Sequence, residues 1–198
     1  MSLYTLKLTN LSFSYSKQVI FNSINYNIIF NSILLIKGSN GVGKTTLLKL
    51  LYGRIKPDKG KMDISYNTSK SVSKCYVPSN PMFMFLTGYI TDELKFRGLN
   101  KLDKYNEIYK GNKHVNELSA GELKKISVDI AFYQNCEALL LDEPLMALDD
   151  EEVIYFKNCL LDLKSKGRAI IIATCEDYLD NIADGILELD SLSYYKYQ

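Results

Sequence analysis

At 198 residues the chain has the length of one domain, or of one core carrying a small subdomain, which excludes a large multidomain machine. Lys and Arg number 24 against 23 Asp and Glu, a formal charge of +1, so no global field draws the protein onto nucleic acid or an anionic membrane. Apolar residues at 46% and charged residues at 24% give the balance of a soluble globular domain and exclude a disordered or collagen-like chain.

The opening stretch MSLYTLKLTNLSFSYS has no basic segment followed by an apolar run, so it does not read as a signal peptide. Within it Leu6, Leu8, Leu11, Phe13 and Tyr15 alternate with polar residues, which predicts half-buried antiparallel strands. The charge-free run from Gln18 to Ile36 approaches the length of a bilayer span, but Asn22, Asn25, Asn27 and Asn31 interrupt it. It is not a membrane helix, and any membrane role requires a separate membrane partner.

Further along, residues 33–37, 75–77, 138–141 and 169–173 are short continuous apolar runs, as expected of strands covered on both faces in a parallel sheet. Helical patterns fall between and after them at 44–52, 120–133, 150–164 and 176–183. Strands alternating with helices predict an α/β fold with a mainly parallel sheet and an antiparallel N-terminal addition. Cys75, Cys136, Cys159 and Cys175 form no CxxC pair, and with His114 as the single histidine they offer neither zinc-ligand spacing nor a disulfide framework. They read as reduced thiols.

GSNGVGKTT, residues 38–46, follows one buried strand and opens an apolar helix, the context that a GxxxxGK[ST] phosphate loop requires. Gly38, Gly41 and Gly43 permit close backbone approach, so N–H groups of the run Gly38, Ser39, Asn40, Gly41, Val42, Gly43, Lys44, Thr45 and Thr46 can meet phosphate oxygens. The Lys44 ammonium can reach the β- and γ-phosphates of a nucleotide, and the Thr45 hydroxyl can ligate Mg²⁺. ALLLDEP, residues 138–144, supplies a second half: an apolar strand ends in Asp142, placed to support Mg²⁺, and Glu143 follows, placed to polarise a water.

Between the two lies LSAGE, residues 118–122, at the head of an amphipathic helix. Ser119 and Glu122 there are spaced as a capping box. The ordered set of phosphate loop, LSAGE and DEP resembles the ATP-binding cassette (ABC) ATPase family over essentially the whole chain. The resemblance implies a single ATPase domain over residues 1–198, with a P-loop NTPase core, an antiparallel β subdomain and a small helical subdomain at about 81–135. It also implies MgATP as ligand, hydrolysis coupled to transport, an ATP-dependent dimer with a second copy of the chain, and an integral membrane permease as partner. By that likeness the chain works peripherally on the cytoplasmic face of a membrane and contacts no nucleic acid.

Residue by residue, the likeness places Tyr15 where an aromatic stacks on adenine, and Ser119 and Gly121 where they face the γ-phosphate of the second copy. Asp149, in ALD at 147–149, falls in the loop that communicates between sites, and LTGYITDELKF at 86–96 resembles the helix that contacts the transport partner. Three departures stand out. Ser79 occupies the position of a metal-contacting Gln, and its shorter hydroxyl is expected to reach Mg²⁺ through a water. Cys175 stands where a His contacts the γ-phosphate, while His114 falls in a loop before the signature. Ala120 replaces a signature glycine and Lys125 an arginine. The abbreviated helical region, the phosphate-loop segment and LSAGE are similar to the ATPase subunit of haem exporters used in cytochrome c maturation. A soluble cassette ATPase of iron–sulfur assembly, or a nucleotide-gated module with little turnover, carries the same motifs.

Overall fold

The computed structural model describes residues 3–67, 70–99, 112–146 and 148–192. Two sheets organise it. The antiparallel one has strand order β2-β1-β4-β5, formed by β1 (Tyr4–Tyr15), β2 (Gln18–Phe30), β4 (Lys59–Tyr66) and β5 (Lys70–Ser71). Tyr4, Leu6 and Leu8 are buried, then the inward phase jumps to Leu11 and Phe13. The jump coincides with a register shift between Leu8 and Leu11 and with Asn10 at φ 49, a left-handed position that asparagine tolerates.

The second sheet is parallel, in the order β6-β7-β8-β3-β9, from β3 (Ile33–Lys37), β6 (Lys74–Val77), β7 (Ala138–Asp142), β8 (Ala169–Ala173) and β9 (Gly185–Glu188). Its strands are apolar at successive positions because each face has its own core. Leu34, Ile36, Leu140 and Ile171 join Leu6, Leu11 and α1 (Lys44–Tyr52) on one side. Ile33, Leu35, Leu139, Leu141 and Ile170 join the opposite cluster, under α3 (Ala120–Tyr133) and α4 (Asp150–Ser165). Alternating side chains on a strand thus feed two layers, which is why the runs are apolar at nearly every position.

In the helical region a 3₁₀ turn at Pro81–Met84, helix α2 (Ile90–Phe96) and α3 all contribute to the second cluster through Met84, Ile90, Leu94 and Leu123. The middle of that region, residues 100–111, lies outside the described residues. His114 is half-buried rather than a free loop side chain: its Nδ1 accepts from the Asn116 N–H at 3.2 Å and its ring meets Tyr89 edge-on at 4.9 Å.

Residues 176–183 do not form the expected helix. Their backbone makes only i→i+3 turns, with 3₁₀ geometry at Asp180–Ile182. The Thr174 hydroxyl accepts the Glu176 N–H, and Asp177 and Asp180 both bind the buried Lys37 ammonium at the end of β3. Three residues per turn places Asp177 and Asp180 above one another, where both reach a single cation. Burial opposes the charge on Lys37, yet the two carboxylates hold its pKa above the usual value. A short helix α5 (Leu189–Leu192) follows β9. Among the described residues no helix is long and apolar enough to cross a membrane.

Candidate functional site

The strand register brings the motif residues to one edge. Ile36 and Asp142 both align with Ala173, and Val77 aligns with Leu141. Gly38, Ser79, Glu143 and Cys175 therefore leave four strands at the same carboxyl end, the edge where open α/β sheets bind ligands.

The phosphate loop is held in conformations only glycine adopts readily. Gly38 has φ +144 and Gly43 φ +119, and a Cβ on Gly43 would lie 2.9 Å from Ile20 Cγ2. Gly43 begins α1 without a side-chain cap, leaving the positive end of the helix directed at the loop. Asp190 of α5 fastens the loop from outside, accepting the Ser39 N–H at 2.7 Å and the Ser39 hydroxyl at 2.8 Å. The Lys44 ammonium is 6% exposed, donates to the Gly38 carbonyl at 2.8 Å and lies 3.4 Å from Glu143 Oε1.

Asp142 is fully buried with both oxygens engaged: Oδ1 accepts from the Thr45 hydroxyl at 2.9 Å and Oδ2 from the Tyr76 phenol at 3.2 Å. Burial, and then the Asp142 charge, push the Tyr76 phenol well above the usual tyrosine range. Thr45, Tyr76, Ser79 and Asp142 line one groove of about 340 Å³, with Tyr15 at its rim. Tyr15 is half-exposed, its ring edge-on to Phe13 at 4.8 Å, so one ring face is available for stacking. The oxygen donors of Thr45, Asp142 and Ser79 fit a hard cation such as Mg²⁺, which keeps most of its shell for phosphate and water. Among the described residues no group of three or more His, Cys, Asp or Glu could hold a metal ion by itself.

Glu143 adopts φ 45 and donates its N–H to the Ala173 carbonyl at 2.9 Å. Its carboxylate lies between Lys44 and Cys175, whose exposed Sγ is 4.0 Å from Oε2. Ser119 and Gly121 do not line this groove; at the head of α3 Ser119 is exposed and Gly121 half-buried, and Ser119 and Glu122 complete a capping box. Asp149 likewise caps α4, accepting the Glu152 N–H at 2.8 Å, and Lys125 lies 3.6 Å from Glu152. Ala147 lies outside the described residues.

Sequence reasoning missed four side chains around the site: Lys37, Tyr76, Asp190 and Lys124. Lys124 sits in α3 at 1% exposure, and its ammonium donates to the carbonyls of Ser79 at 3.1 Å, Asp142 at 3.3 Å and Pro78 at 3.5 Å. Burial draws its pKa down to about 8, against the pull of Asp142 and Glu143. Tyr76 and Lys37 each lie within three residues of a motif residue, the one available signal. The partners of Asp190 and Lys124 are visible only in three dimensions.

A profile of the ABC transporter family matches residues 21–146. The chain belongs to the ABC transporter family. It is 29% identical to a cytochrome c biogenesis ATP-binding export protein from Reclinomonas americana, over 82% of this chain and 81% of the relative. It is 33% identical to a zinc import ATP-binding protein from Wigglesworthia glossinidia brevipalpis, over 83% of this chain and 71% of that one. A solved putative ABC transporter ATP-binding protein from Pyrococcus furiosus superposes with a TM-score of 0.70 at 25% identity, covering 94% of this chain and 98% of its own. The two sheets and the helices between them are thus an ABC ATPase domain.

Proposed function

We propose that this chain binds and hydrolyses ATP as the nucleotide-binding subunit of a membrane transporter. The observation that carries the reading is the meeting of Lys44 and Thr45 with Glu143 and Asp142 across two adjacent loops, at 3.4 and 2.9 Å. Loop amides from Gly38 to Thr46 and the Lys44 ammonium bind the phosphates, Tyr15 stacks on the base, and Thr45, Asp142 and Ser79 face the metal. Mg²⁺, when bound, neutralises charge on the β- and γ-phosphate oxygens. As phosphate oxygens take over Lys44, the Glu143 carboxylate is released to accept a proton from the attacking water. The new P–O bond forms as the bond to the β-phosphate oxygen breaks, leaving ADP and phosphate. Ser119, exposed in one chain, and the half-buried Gly121 complete the site of a second copy.

The membrane face of this reading rests on a cavity of about 480 Å³ bordered by Phe83, Leu86, Arg54 and Arg97, beside the segment resembling the family's partner-contacting helix. Phe83 and Leu86 are 69% and 72% exposed, which suits coverage by a permease segment. For the cargo we take haem export in cytochrome c maturation, supported by LSAGE, the short helical region and the near-full-length match to an export ATPase of that process. Copurification with soluble assembly factors in place of a membrane subunit would instead favour iron–sulfur assembly. A second reading, a nucleotide-gated module with little turnover, is favoured by Ser79 and by Cys175, whose thiol is a weak donor.

The test is calorimetry of MgATP with wild type and Lys44→Ala, paired with phosphate release. Loss of charge-assisted bonds worth about 1.5 to 3 kcal/mol weakens ATP binding about ten- to a hundredfold. Unchanged affinity would overturn the phosphate-loop assignment.

A further inference from the structure

Lys124 is the most deeply buried cation of the described residues, and its partners are backbone. A lysine at 1% exposure is rare because desolvating an ammonium is costly, and an apolar side chain of similar length would pack there without that cost. The three donors of the ammonium match three carbonyl oxygens, those of Pro78, Ser79 and Asp142. These carbonyls come from two loops at the carboxyl edge of the sheet, while Lys124 itself rides on α3, one turn past the Ser119 cap.

The Asp142 carbonyl belongs to the peptide that joins the metal-facing Asp142 to Glu143. That peptide is gripped at both ends: its oxygen accepts from Lys124, and its N–H donates to the Ala173 carbonyl at 2.9 Å. Rotation of this peptide would change the φ of Glu143, which stands at 45, a region that non-glycine residues occupy only when their surroundings enforce it. Fixing the peptide plane fixes where the Glu143 carboxylate emerges. The same ammonium ties that plane to the Pro78–Ser79 turn lining the groove.

We propose that Lys124 is a positioning residue for Glu143: its ammonium clamps the Asp142–Glu143 peptide and the Ser79 turn to the head of α3, so that the LSAGE helix, the groove turn and the glutamate move as one body. The proposal rests on the hydrolytic reading above. It adds that the start of α3, which faces solvent in one chain, reports directly on the glutamate through a single side chain. A displacement of the glutamate by about 1 Å is enough to cost about a hundredfold in rate, which sets the scale of the expected effect.

The test compares Lys124→Met, similar in length but without donors, with Lys124→Arg, which keeps charge and donors. Three quantities are read on the purified full chain: phosphate release, KM for ATP, and amide hydrogen exchange at Glu143. Lys124→Met should lower kcat about 10- to 100-fold with KM within about twofold and speed exchange at Glu143, and Lys124→Arg should recover most of the loss. Turnover of Lys124→Met within about twofold of wild type, a rise in KM that accounts for the whole defect, or an arginine no better than methionine would overturn the proposal. Should Lys124→Met not fold, Lys124→Gln replaces it in the same comparison against arginine. If wild type releases no phosphate above the Lys44→Ala background, the hydrolytic reading fails, and exchange at Glu143 alone then decides the clamp: unchanged protection in the methionine or glutamine variant refutes it.

Discussion

Glu143→Gln separates two roles of one carboxylate. Glu143 lies 3.4 Å from Lys44, with side chains 21% and 6% exposed. At an effective dielectric constant of about 20, two unit charges at that distance attract by about 5 kcal/mol. Most of this is offset by lost hydration, and a net of about 1 kcal/mol remains for a partly exposed pair. ATP must break the pair to reach Lys44, whereas in the glutamine variant no ion pair is lost and the Lys44 bond to the Gly38 carbonyl persists. The variant should therefore bind ATP about fivefold more tightly than wild type, the equivalent of about 1 kcal/mol. Hydrolysis should meanwhile fall about 10²- to 10⁴-fold, because the amide cannot accept the proton of the attacking water. Calorimetry with MgATP gives the first quantity and single-turnover phosphate release the second. Equal or weaker ATP binding would refute the competition between Glu143 and phosphate for Lys44, and unimpaired turnover would refute the base.

Two further outcomes follow, one from a side chain beside the site and one from the opposite, amino end of β3. Cys175→His replaces a weak donor 4.0 Å from Glu143 with an imidazole and should raise partner-stimulated hydrolysis about tenfold, the effect of one added bond worth about 1.5 kcal/mol. With Ser79→Gln the gain should be more than additive, and rates no higher than wild type in all three variants would show that these positions are not simple losses. Asp184 accepts the Ser32 and Ile33 N–H groups and pairs with Lys164 at 2.6 Å; burial opposes its charge, but these partners hold its pKa below the ordinary value. A carboxylate depressed on folding stabilises above its unfolded pKa, so this contribution is complete at neutral pH and disappears as pH falls below about 4. Asp184→Asn should cost about 1.5 to 3 kcal/mol at pH 7 in urea melts, and that cost should shrink progressively as pH falls below about 4; a cost unchanged with pH would contradict the linkage.

The parts of the fold legible in the sequence were those with one dominant cause. Ala138–Leu141 and Ala169–Ala173 declare themselves because both faces of each strand are covered, and α3 and α4 because capping residues stand where their helices begin. β4 escaped notice because its two lysines and one aspartate mask an antiparallel pairing to β1. Residues 176–183 misled because the pull of Lys37 on Asp177 and Asp180 outweighs a helical pattern. Cys75 and Cys136 are distant in sequence, yet the Cys75 thiol, and then the Arg168 guanidinium at 2.7 Å, hold the Cys136 pKa below its ordinary value against burial. At the site, the residues proposed to contact the nucleotide carry motif signatures. Those that hold them in place, Tyr76, Asp190 and Lys124, do so through contacts 66, 151 and 18 residues away, which no local pattern encodes.

The place of β3 in the parallel sheet has a consequence for how the protein is made. β3 leads into the phosphate loop, yet its two neighbours are β8 and β9, and the backbone N–H of Ile33 at its start is met by Asp184, 151 residues later. As the chain emerges during synthesis, an apolar central strand and the loop behind it wait unpaired until β8 and β9 have been translated. Such long-range parallel closure is slow and leaves sticky intermediates exposed. The ability to hold a nucleotide should thus arrive late and abruptly, once β9 is made, making newborn chains the stage most dependent on chaperones.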